Sequence, residues 1–581
     1  MLKAIWAKMA DMSVRQVAVL LACIGVVVYC SGLMNPFQND DIPQIVDNPI
    51  VHSIGNMTKF FGGSTFYDGE GLSGVYYRPL MTTVYAAIYT VSGAQPFAYH
   101  IVQLALHIAT ALLVYMVLTR FITRPTALVL TLVFLVHPLN SQVVFSIPTM
   151  QDVLYVFCGM WAMYLLIAHQ RGKTYWGVAV LLLLSLLAKE AGILFVLMAL
   201  IYQALYRRKE LRVFALTLIA PVVLYITMRV GAVGLMPSQH AGPINDLSFG
   251  QRLLTAPSVG LFYVVQFLWP AQLALTRYWT HTTWSVDGVL IPLIVDVLIV
   301  GLLVWGAIVL KARVPAKRWL AYIFFFFWFV IGIAPYLQIL PGLDMTACET
   351  WMYMPMIGLL GLLGVVLEQV TWRRAKKPLV IGCVLVVVLA FTALGVRTMI
   401  RGFDYKSQAN LARVDLSVES DNYAALNNIA QDYLQKGSYE TAITYANQSI
   451  RSYPVGSNYI NLGVGLQQTH RFAEAFVAYD HALKYSDSAT IYENLALLHI
   501  VASKPAVASQ YFQTALHRYP HNFKLWLYDA VFEGALGNHE AAQTCITTAA
   551  QYGDVPATIY QHIMTSTAFT VPILGTQVLV H

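Results

Sequence analysis

The sequence predicts an all-α protein in which a polytopic membrane domain precedes a soluble helical repeat domain. Of its 581 residues, 58% are hydrophobic and only 11% are charged, and the mean hydropathy is +0.60. Soluble globular proteins carry about 25% charged residues. Apolar runs recur through residues 1–400, and a regular sequence period follows them. This composition excludes an ordinary soluble enzyme, a disordered chain and a small disulfide scaffold.

Charge is distributed unevenly between the two predicted parts. Residues 1–400 contain 26 Lys and Arg against 15 Asp and Glu, a net charge of +11. Residues 401–581 contain 10 against 14, a net charge of −4. A basic membrane part is therefore followed by a mildly acidic soluble part, and nothing in this pattern indicates a nucleic-acid partner.

The membrane domain is predicted from apolar segments, because a helix needs about 20 predominantly apolar residues to cross a bilayer. Two further apolar stretches, 80–92 and 253–269, are predicted to lie on the membrane or dip into it from one side. Eleven spans are predicted, near 17–33, 97–119, 127–146, 151–168, 175–188, 190–206, 213–232, 289–310, 319–339, 352–370 and 378–397.

The basic residues predict the orientation of these spans, since short cytoplasmic loops are enriched in Lys and Arg. With a cytoplasmic N-terminus, 19 of the 26 basic residues of 1–400 fall in cytoplasmic segments. An odd number of spans then places the chain after Arg397 on the opposite side. We expect a multi-pass protein with its repeats outside the cytoplasm, with a bacterial inner membrane favoured over an endoplasmic reticulum.

Small residues recur every 33 residues in the soluble part: Ala442, Ala475, Ala508 and Ala541. A fixed period of 33–34 residues is typical of stacked helix pairs, which present a groove that can bind a peptide. Packing on the membrane domain or oligomerisation would explain the same pattern. The predicted organisation is a membrane domain at 1–400 with a long outer loop at 34–96, a linker at 401–419, four repeats at about 420–455, 456–488, 489–522 and 523–556, and a C-terminal cap at 557–581.

Ionisable residues lie near one face of the predicted membrane domain. The adjacent carboxylates Asp40 and Asp41 follow the first span, where they could act as a general base or bind a divalent metal. Ionisable groups beside or within spans are costly and are often functional. Arg78, Lys189 and Arg229 could bind a phosphate, because desolvated cations pair strongly with anions. Structural pairing or helix capping would explain several of these groups equally well.

Short motifs in a fixed order carry a family resemblance. They are Asp40-Asp41-Ile42-Pro43-Gln44-Ile45-Val46-Asp47-Asn48, Tyr77-Arg78-Pro79-Leu80, Pro96-Phe97-Ala98-Tyr99-His100, His137-Pro138, Ala188-Lys189-Glu190-Ala191-Gly192-Ile193 and Met352-Tyr353-Met354-Pro355. Taken together, they resemble the transmembrane and tetratricopeptide-repeat O-mannosyltransferases, within the GT-C class of glycosyltransferases. The resemblance covers nearly the whole chain, including the repeats.

The resemblance implies an enzyme that moves a sugar from a polyprenyl-phosphate donor to protein hydroxyls, with the acceptor bound by the repeats. It implies that the first-loop acid is the base, with Asp40 preferred and Asp41 close behind, and whether a divalent metal binds there stays open. The other implied site residues are Asp152 in catalysis, Arg78, Lys189 and Arg229 at the donor phosphate, and His137, Glu190, Glu349 and Tyr353 in support.

Three positions depart from the family pattern. Gln142 stands where the family usually has Glu, Gln151 replaces an Arg before Asp152, and Thr350 replaces an Arg after Glu349. One expected phosphate ligand is therefore missing, which bears on the donor more than on the fold. Arg229 or Arg277 could substitute for it.

Other functional classes fit parts of the sequence. An oligosaccharyltransferase or ligase with a lipid-diphosphate donor is the main alternative, because the sequence hardly separates it from a monosaccharide transferase. A transporter is less favoured, since no internal repeat of the membrane part is visible and the charges lie to one side. A non-enzymatic scaffold is also less favoured, because eleven spans exceed what an anchor requires.

Overall fold

The computed structural model describes residues 2–67, 72–169, 172–234, 242–339, 342–369, 377–486, 488–501 and 504–552, and isolated positions up to 563. It divides into two compact units. The first comprises residues 1–45, 51–65 and 75–418, and the second comprises residues 46–50, 66–74 and 419–581.

The first unit is mainly helical in its described ranges. Its α-helices are α1 (Leu2–Asp11), α2 (Val14–Tyr29), α3 (Met57–Phe60), α4 (Pro79–Ser92), α5 (Pro96–Leu118), α6 (Arg124–Val136), α7 (Ser141–Phe145), α8 (Met150–Ala168), α9 (Thr174–Ala188), α10 (Ile193–Tyr206), α11 (Leu211–Val233), α12 (Phe249–Leu268), α13 (Ile291–Arg313), α14 (Ala316–Ile333), α15 (Tyr353–Leu367), α16 (Lys377–Asp404) and α17 (Gln408–Val418).

Short turns of 3-10 or π-helix separate many of the elements along the chain. The 3-10 turns are Cys30–Gly32, Pro49–His52, Ile54–Asn56, Pro138–Asn140, Ile147–Thr149, Glu190–Gly192, Arg208–Glu210, Ala334–Leu337 and Glu349–Met352, and the π turns are Ile42–Val46 and Val286–Leu290.

Within the described ranges, eight helices are long and apolar enough to cross a membrane. A ninth results if the bent pair Arg124–Val136 and Pro138–Phe145 is counted as one span. The apolar helices Thr174–Ala188 and Glu190–Tyr206 are shorter than a full span. The chain is thus a multi-pass membrane protein by length and composition, but the predicted number of eleven spans is not confirmed. The predicted orientation of the termini stays a prediction.

The helices of the first unit differ in how much of their surface other helices cover. Ile147–Ala168 and Glu349–Leu367 are largely buried, whereas the most apolar window of Val286–Arg313 has no buried residue. An apolar helix whose side chains stay largely exposed is stable where lipid replaces water. The core of the unit therefore lies around α5, α8 and α15, and α13 faces the bilayer.

The second unit contains four helix pairs and a two-stranded antiparallel sheet. Strands β1 (Phe66–Tyr67) and β2 (Leu72–Ser73) pair Phe66 with Ser73. The helix pairs are α18 (Tyr423–Gln435) with α19 (Tyr439–Ser452), α20 (Gly456–Gln468) with α21 (Phe472–Tyr485), α22 (Ala489–Val501) with α23 (Pro505–Arg518), and α24 (Phe523–Ala535) with α25 (His539–Ala549).

The first helices of the four pairs begin at residues 423, 456, 489 and 523, at spacings of 33, 33 and 34 residues. The small residues at 442, 475 and 508 are fully buried, as is Ala542, whereas Ala541 is only partly buried. The expected period is therefore lengthened by one residue before the last pair, and Ala542 takes the place predicted for Ala541. An assignment of these pairs to tetratricopeptide repeats stays a prediction.

The structure describes part of the segments that precede and follow the repeats. The predicted linker at 401–419 contains the last turn of α16 and the whole of α17, and residues up to 418 lie in the first unit. Most of the predicted cap at 557–581 lies outside the described residues, including the apolar stretch 569–574.

Candidate active site

Arg78 lies at the centre of a polar cluster in the first unit. It directly precedes Pro79, the first residue of α4, and a residue before proline is held out of the helical conformation. Its Nη1 donates to Gln151 Oε1 at 2.5 Å, and its Nη2 lies 3.1 Å from Glu190 Oε1. The guanidinium carbon lies 4.1 Å from the ring centroid of Tyr76. Arg78 Nε is buried and has no hydrogen-bond partner within the described ranges, so these ranges leave one donor of this cation available.

A second ion pair joins Lys189 and Asp152. Lys189 Nζ lies 2.7 Å from Asp152 Oδ1, and both side chains are buried. Asp152 lies in the first turn of α8, and Lys189 caps the C-terminal end of α9. The helix dipole stabilises a carboxylate at the first place and a cation at the second. The positions predicted to hold catalytic and phosphate-binding groups therefore come together in space.

The break between α9 and α10 positions both Lys189 and Glu190. At Gly192 in this break, a Cβ atom would lie only 2.6 Å from the carbonyl carbon of Ser185. Since no real Cβ atom approaches backbone so closely, only glycine allows the chain to turn back here. The turn places Lys189 against Asp152 and Glu190 against Arg78, with the Glu190 side chain 49% exposed.

Asp40 and Asp41 lie in a tight turn that follows α2, and they differ in environment. The turn passes through Asn39, whose φ is +50°. Asp41 is buried and accepts a hydrogen bond from the backbone N–H of Gln38 at 2.8 Å. Asp40 is solvent-accessible, although it lies deep enough among protein atoms for its ionisation to be affected. Of the two adjacent carboxylates, Asp40 is the one that a substrate can reach.

Burial and the charges around Asp40 shift the pKa of its carboxyl group. Burial raises the pKa of Asp40, the Arg78 guanidinium acts to lower it, and the Asp344 carboxylate adds to the rise. Burial raises the pKa of Asp41 well above its usual value, against the effect of the hydrogen bond from Gln38. Asp40 and Arg78 are therefore close enough for their charges to interact.

Tyr76 and Asp344 belong to the cluster but did not stand out in the sequence. Tyr76 donates a hydrogen bond from its hydroxyl to Asp344 Oδ2 while its ring faces Arg78. Asp344 lies in the segment between α14 and α15, more than 260 residues from Tyr76 in sequence. Tyr76 could have been suspected because it adjoins the Tyr77-Arg78-Pro79 motif, whereas a single Asp in a loop gives no signal.

The remaining phosphate-binding candidate, Arg229, lies near the C-terminal end of α11. Its Nη1 donates to the carbonyl of Gly234 at 3.2 Å. Tyr225, one turn earlier on the same helix, interacts electrostatically with Arg229, Arg78 and Glu190. Arg229 therefore lies at the edge of the cluster rather than inside it.

Two of the predicted supporting residues are engaged in packing. His137 Nε2 lies 3.0 Å from the carbonyl oxygen of Phe267, and its Nδ1 accepts a hydrogen bond from the backbone N–H of Leu139. Tyr353 is fully buried, with its hydroxyl 2.8 Å from His107 Nδ1. Each of the two side chains is thus hydrogen-bonded within the fold, and their predicted supporting role stays a prediction.

Glu349 belongs to a second buried charge cluster. Its Oε1 lies 3.7 Å from Nη2 of Arg401, which has no exposed surface. Arg401 Nη1 also lies 3.0 Å from Asp404 Oδ2. Burial raises the pKa of Asp415, another member of this cluster, to about 7. The cation that pairs with Glu349 is thus Arg401 of α16, a residue that the sequence did not single out.

Metal binding was left open for Asp40 and Asp41. Across the described ranges, no group of three or more His, Cys, Asp and Glu side chains is placed to hold a metal ion. Asp40 and Asp41 alone would supply two ligands at most, and one oxygen of Asp41 already accepts the Gln38 hydrogen bond. Because Mg²⁺ is often held by one or two carboxylates together with waters, metal binding at this turn stays open.

The chain is similar in sequence to several known proteins. No family model matches the chain. Protein O-mannosyl-transferase TMTC3 of Mus musculus is 22% identical over 512 residues, which cover 81% of this chain and 55% of the relative. Tmtc3 of Drosophila melanogaster is 24% identical over 557 residues, or 80% of this chain and 58% of the relative. The chain is homologous to TMTC protein O-mannosyl-transferases.

Over a shorter region the similarity to these relatives is higher. Human TMTC1 is 34% identical over 144 residues, which cover 24% of this chain and 16% of the relative. The chain spans a little over half the length of the two TMTC3 relatives named above. Among solved structures, an oligosaccharyltransferase of Archaeoglobus fulgidus shows a distant likeness, with a TM-score of 0.41 and 12% identity over 74% of this chain and 59% of that one.

Proposed function

We propose that this chain is a membrane glycosyltransferase that moves mannose from a polyprenyl-phosphate donor to Ser or Thr hydroxyls of proteins. The observation that carries the proposal is an accessible carboxylate, Asp40, whose ionisation is influenced by Arg78, a cation held by Glu190 next to the buried Lys189–Asp152 ion pair. The names of the TMTC relatives support mannose as the sugar and protein as the acceptor.

Asp40 acts as the general base in this proposal. Its carboxylate takes the proton of the acceptor hydroxyl as the oxygen attacks the anomeric carbon of the sugar. The bond between that carbon and the phosphate oxygen breaks, and the polyprenyl phosphate leaves with the electron pair. A base poised near the working pH is more effective than an ordinary Asp, and burial raises the pKa of Asp40 in that direction.

The cations stabilise the negative charge that develops on the departing phosphate. Arg78 has an unused Nε donor, and Lys189 has three N–H groups of which one is directed to Asp152. Glu190, Asp152 and Gln151 hold these cations in place before the donor arrives. Donors fixed in advance stabilise a transition state without reorganisation.

The repeat unit recruits the protein acceptor, and the reaction takes place on the non-cytoplasmic face of the membrane. The observation that supports recruitment is the succession of four helix pairs at a nearly constant spacing. Arrays of this kind offer an extended concave surface to a partner.

The test is sugar transfer by the purified full-length protein in detergent. Radiolabelled polyprenyl-phosphate mannose is supplied with a mixed pool of peptides from secreted proteins, and we expect label on the peptides. Transfer only from a lipid-diphosphate oligosaccharide would replace this proposal with the oligosaccharyltransferase alternative. Transfer from neither donor, by protein that elutes as a folded species, would contradict a glycosyltransferase.

The pH dependence of transfer follows from the environment of Asp40. The base must be ionised, so kcat/KM falls as pH drops below its pKa. Because burial raises this pKa, we expect the decline to begin above the pH at which an ordinary Asp, with a pKa of about 3.9, would protonate. The measurement is a kcat/KM profile from pH 4 to 8, compared with pH-dependent unfolding as the control. A flat profile would contradict Asp40 as the base.

A further inference from the structure

Tyr225 carries a buried hydroxyl that forms no hydrogen bond with the part of the chain that the structure describes. The residue is on α11, and its side chain is 7% exposed. Its hydroxyl oxygen has no hydrogen-bond partner among the described residues. A buried hydroxyl without a hydrogen-bond partner lowers the free energy of unfolding by about 1–3 kcal/mol. Such a group is therefore more easily explained if a ligand completes its hydrogen bonding.

The surroundings of Tyr225 indicate which kind of ligand this is. Its ring lies 6.2 Å from that of Tyr77, the residue before Arg78. Its hydroxyl interacts electrostatically with Glu190, Arg229 and Arg78. Glu190 Oε1 is directed to Arg78 and does not accept a bond from Tyr225. An acceptor atom that enters beside Tyr225 would be attracted by two arginines and repelled by one glutamate that is already paired with Arg78, and this excess of positive charge favours an anionic oxygen.

The outer surface of α11 gives a lipid access to this position. Val223, Leu224 and Ile226, which flank Tyr225 in sequence, are about half exposed and apolar. On a membrane helix, such side chains contact lipid chains. A prenyl chain could therefore lie along α11 while its phosphate reaches the inner side of the helix, where Tyr225 and Arg229 lie one turn apart.

We propose that the Tyr225 hydroxyl donates a hydrogen bond to a phosphate oxygen of the lipid-linked donor. This inference rests on the proposed function and deepens it, because it assigns a donor-binding residue that the motifs did not include. Tyr225 does not transfer a proton in the reaction. Its bond to the phosphate forms when the donor binds, so its loss should raise the KM for the donor more than it lowers kcat.

The test compares Tyr225→Phe with a matched control, Tyr206→Phe. Tyr206 also has a buried hydroxyl without a hydrogen-bond partner in the described chain, but it is the last residue of α10, about 20 Å along that helix from the Glu190 end. Binding of polyprenyl phosphate, and of the same polyprenol without phosphate, is measured for the full-length wild type and both variants. We expect Tyr225→Phe to weaken binding of polyprenyl phosphate about 10-fold or more, with polyprenol binding and the Tyr206→Phe variant unchanged.

The outcomes separate this inference from the proposed function. If the wild type binds polyprenyl phosphate and Tyr225→Phe binds it equally well, the role of Tyr225 is wrong and the donor site stands. If Tyr225→Phe weakens both lipids to the same extent, the hydroxyl acts on packing and the phosphate contact is wrong. If the wild type shows no preference for the phosphorylated lipid, the proposed donor site fails, and the role of Tyr225 fails with it.

Discussion

Replacing Asp40 with asparagine is expected to lower sugar transfer by about 10²–10⁴-fold, the usual contribution of a general base. The substitution keeps the size of the side chain and removes its ability to take a proton. Because the Asp40 side chain is accessible and makes no hydrogen bond within the described part of the chain, we expect folding and donor binding to be unchanged. The measurement is kcat under saturating donor, with the unfolding temperature of the variant as a check.

The neighbouring carboxylate provides the control for this experiment. Asp41 is buried and accepts the Gln38 N–H hydrogen bond, which the amide oxygen of asparagine can also accept. Asp41→Asn should therefore retain far more transfer than Asp40→Asn. If only Asp41→Asn abolished transfer, the base would be Asp41. If both variants transferred normally, the chemistry would lie elsewhere, with Asp152 and Glu190 as the next candidates.

Replacing Arg401 with methionine is expected to cost about 3–5 kcal/mol of unfolding free energy. Arg401 is fully buried and lies between Glu349 and Asp404. Its removal leaves the carboxylate of Glu349 buried without its cation, which costs more than the pair contributes. The measurement is unfolding of the purified protein by denaturant in mixed micelles, followed by tryptophan fluorescence.

A second substitution tests whether the buried charge is the cause. In Arg401→Met/Glu349→Gln the carboxylate charge is removed as well, so part of the lost stability should return. Arg397→Met, one turn earlier on α16, is the matched control, because Arg397 is only partly buried and donates to a backbone carbonyl. If the double variant were as unstable as Arg401→Met, the side-chain volume of Arg401 would matter more than its charge.

The sequence was informative about helices and less so about which of them span the membrane. Long apolar runs predict helices because hydropathy and helical length must both suit a bilayer. The number of membrane spans was less predictable. Helices α9 and α10 are too short for a full span, and the axis of α6 makes an angle of 52° with that of the following helix. Length alone cannot tell whether such segments cross the membrane with the help of neighbouring helices.

Part of the candidate site could be predicted from motifs that lie near known landmarks. Arg78, Asp152, Lys189 and Glu190 are each at a helix end, and the structure brings these four together. Ionised groups beside apolar segments stand out in any sequence of this composition. Motif order could not show that His137 and Tyr353 form hydrogen bonds with Phe267 and His107, because these partners are distant in the chain.

The residues that were missed have ordinary sequence surroundings. Asp344 is a single acid in a loop, and Arg401 follows the last apolar run among other basic residues. Each acquires its role from a tertiary contact, to Tyr76 in one case and to Glu349 in the other. Such contacts form only when folding brings distant segments together, so the local sequence does not indicate them.

The extra residue in the last repeat has a geometric consequence for the whole array. Turns of three residues precede α20 and α22, whereas four residues, 519–522, precede α24. Inserted within a helix, one residue would rotate every later side chain by about 100° and turn buried alanines toward water. Placed in the turn, the same insertion leaves the angular phase of α24 and α25 intact. The array can therefore accommodate an inserted residue in a turn between helix pairs, whereas the same insertion within a helix would disrupt its packing.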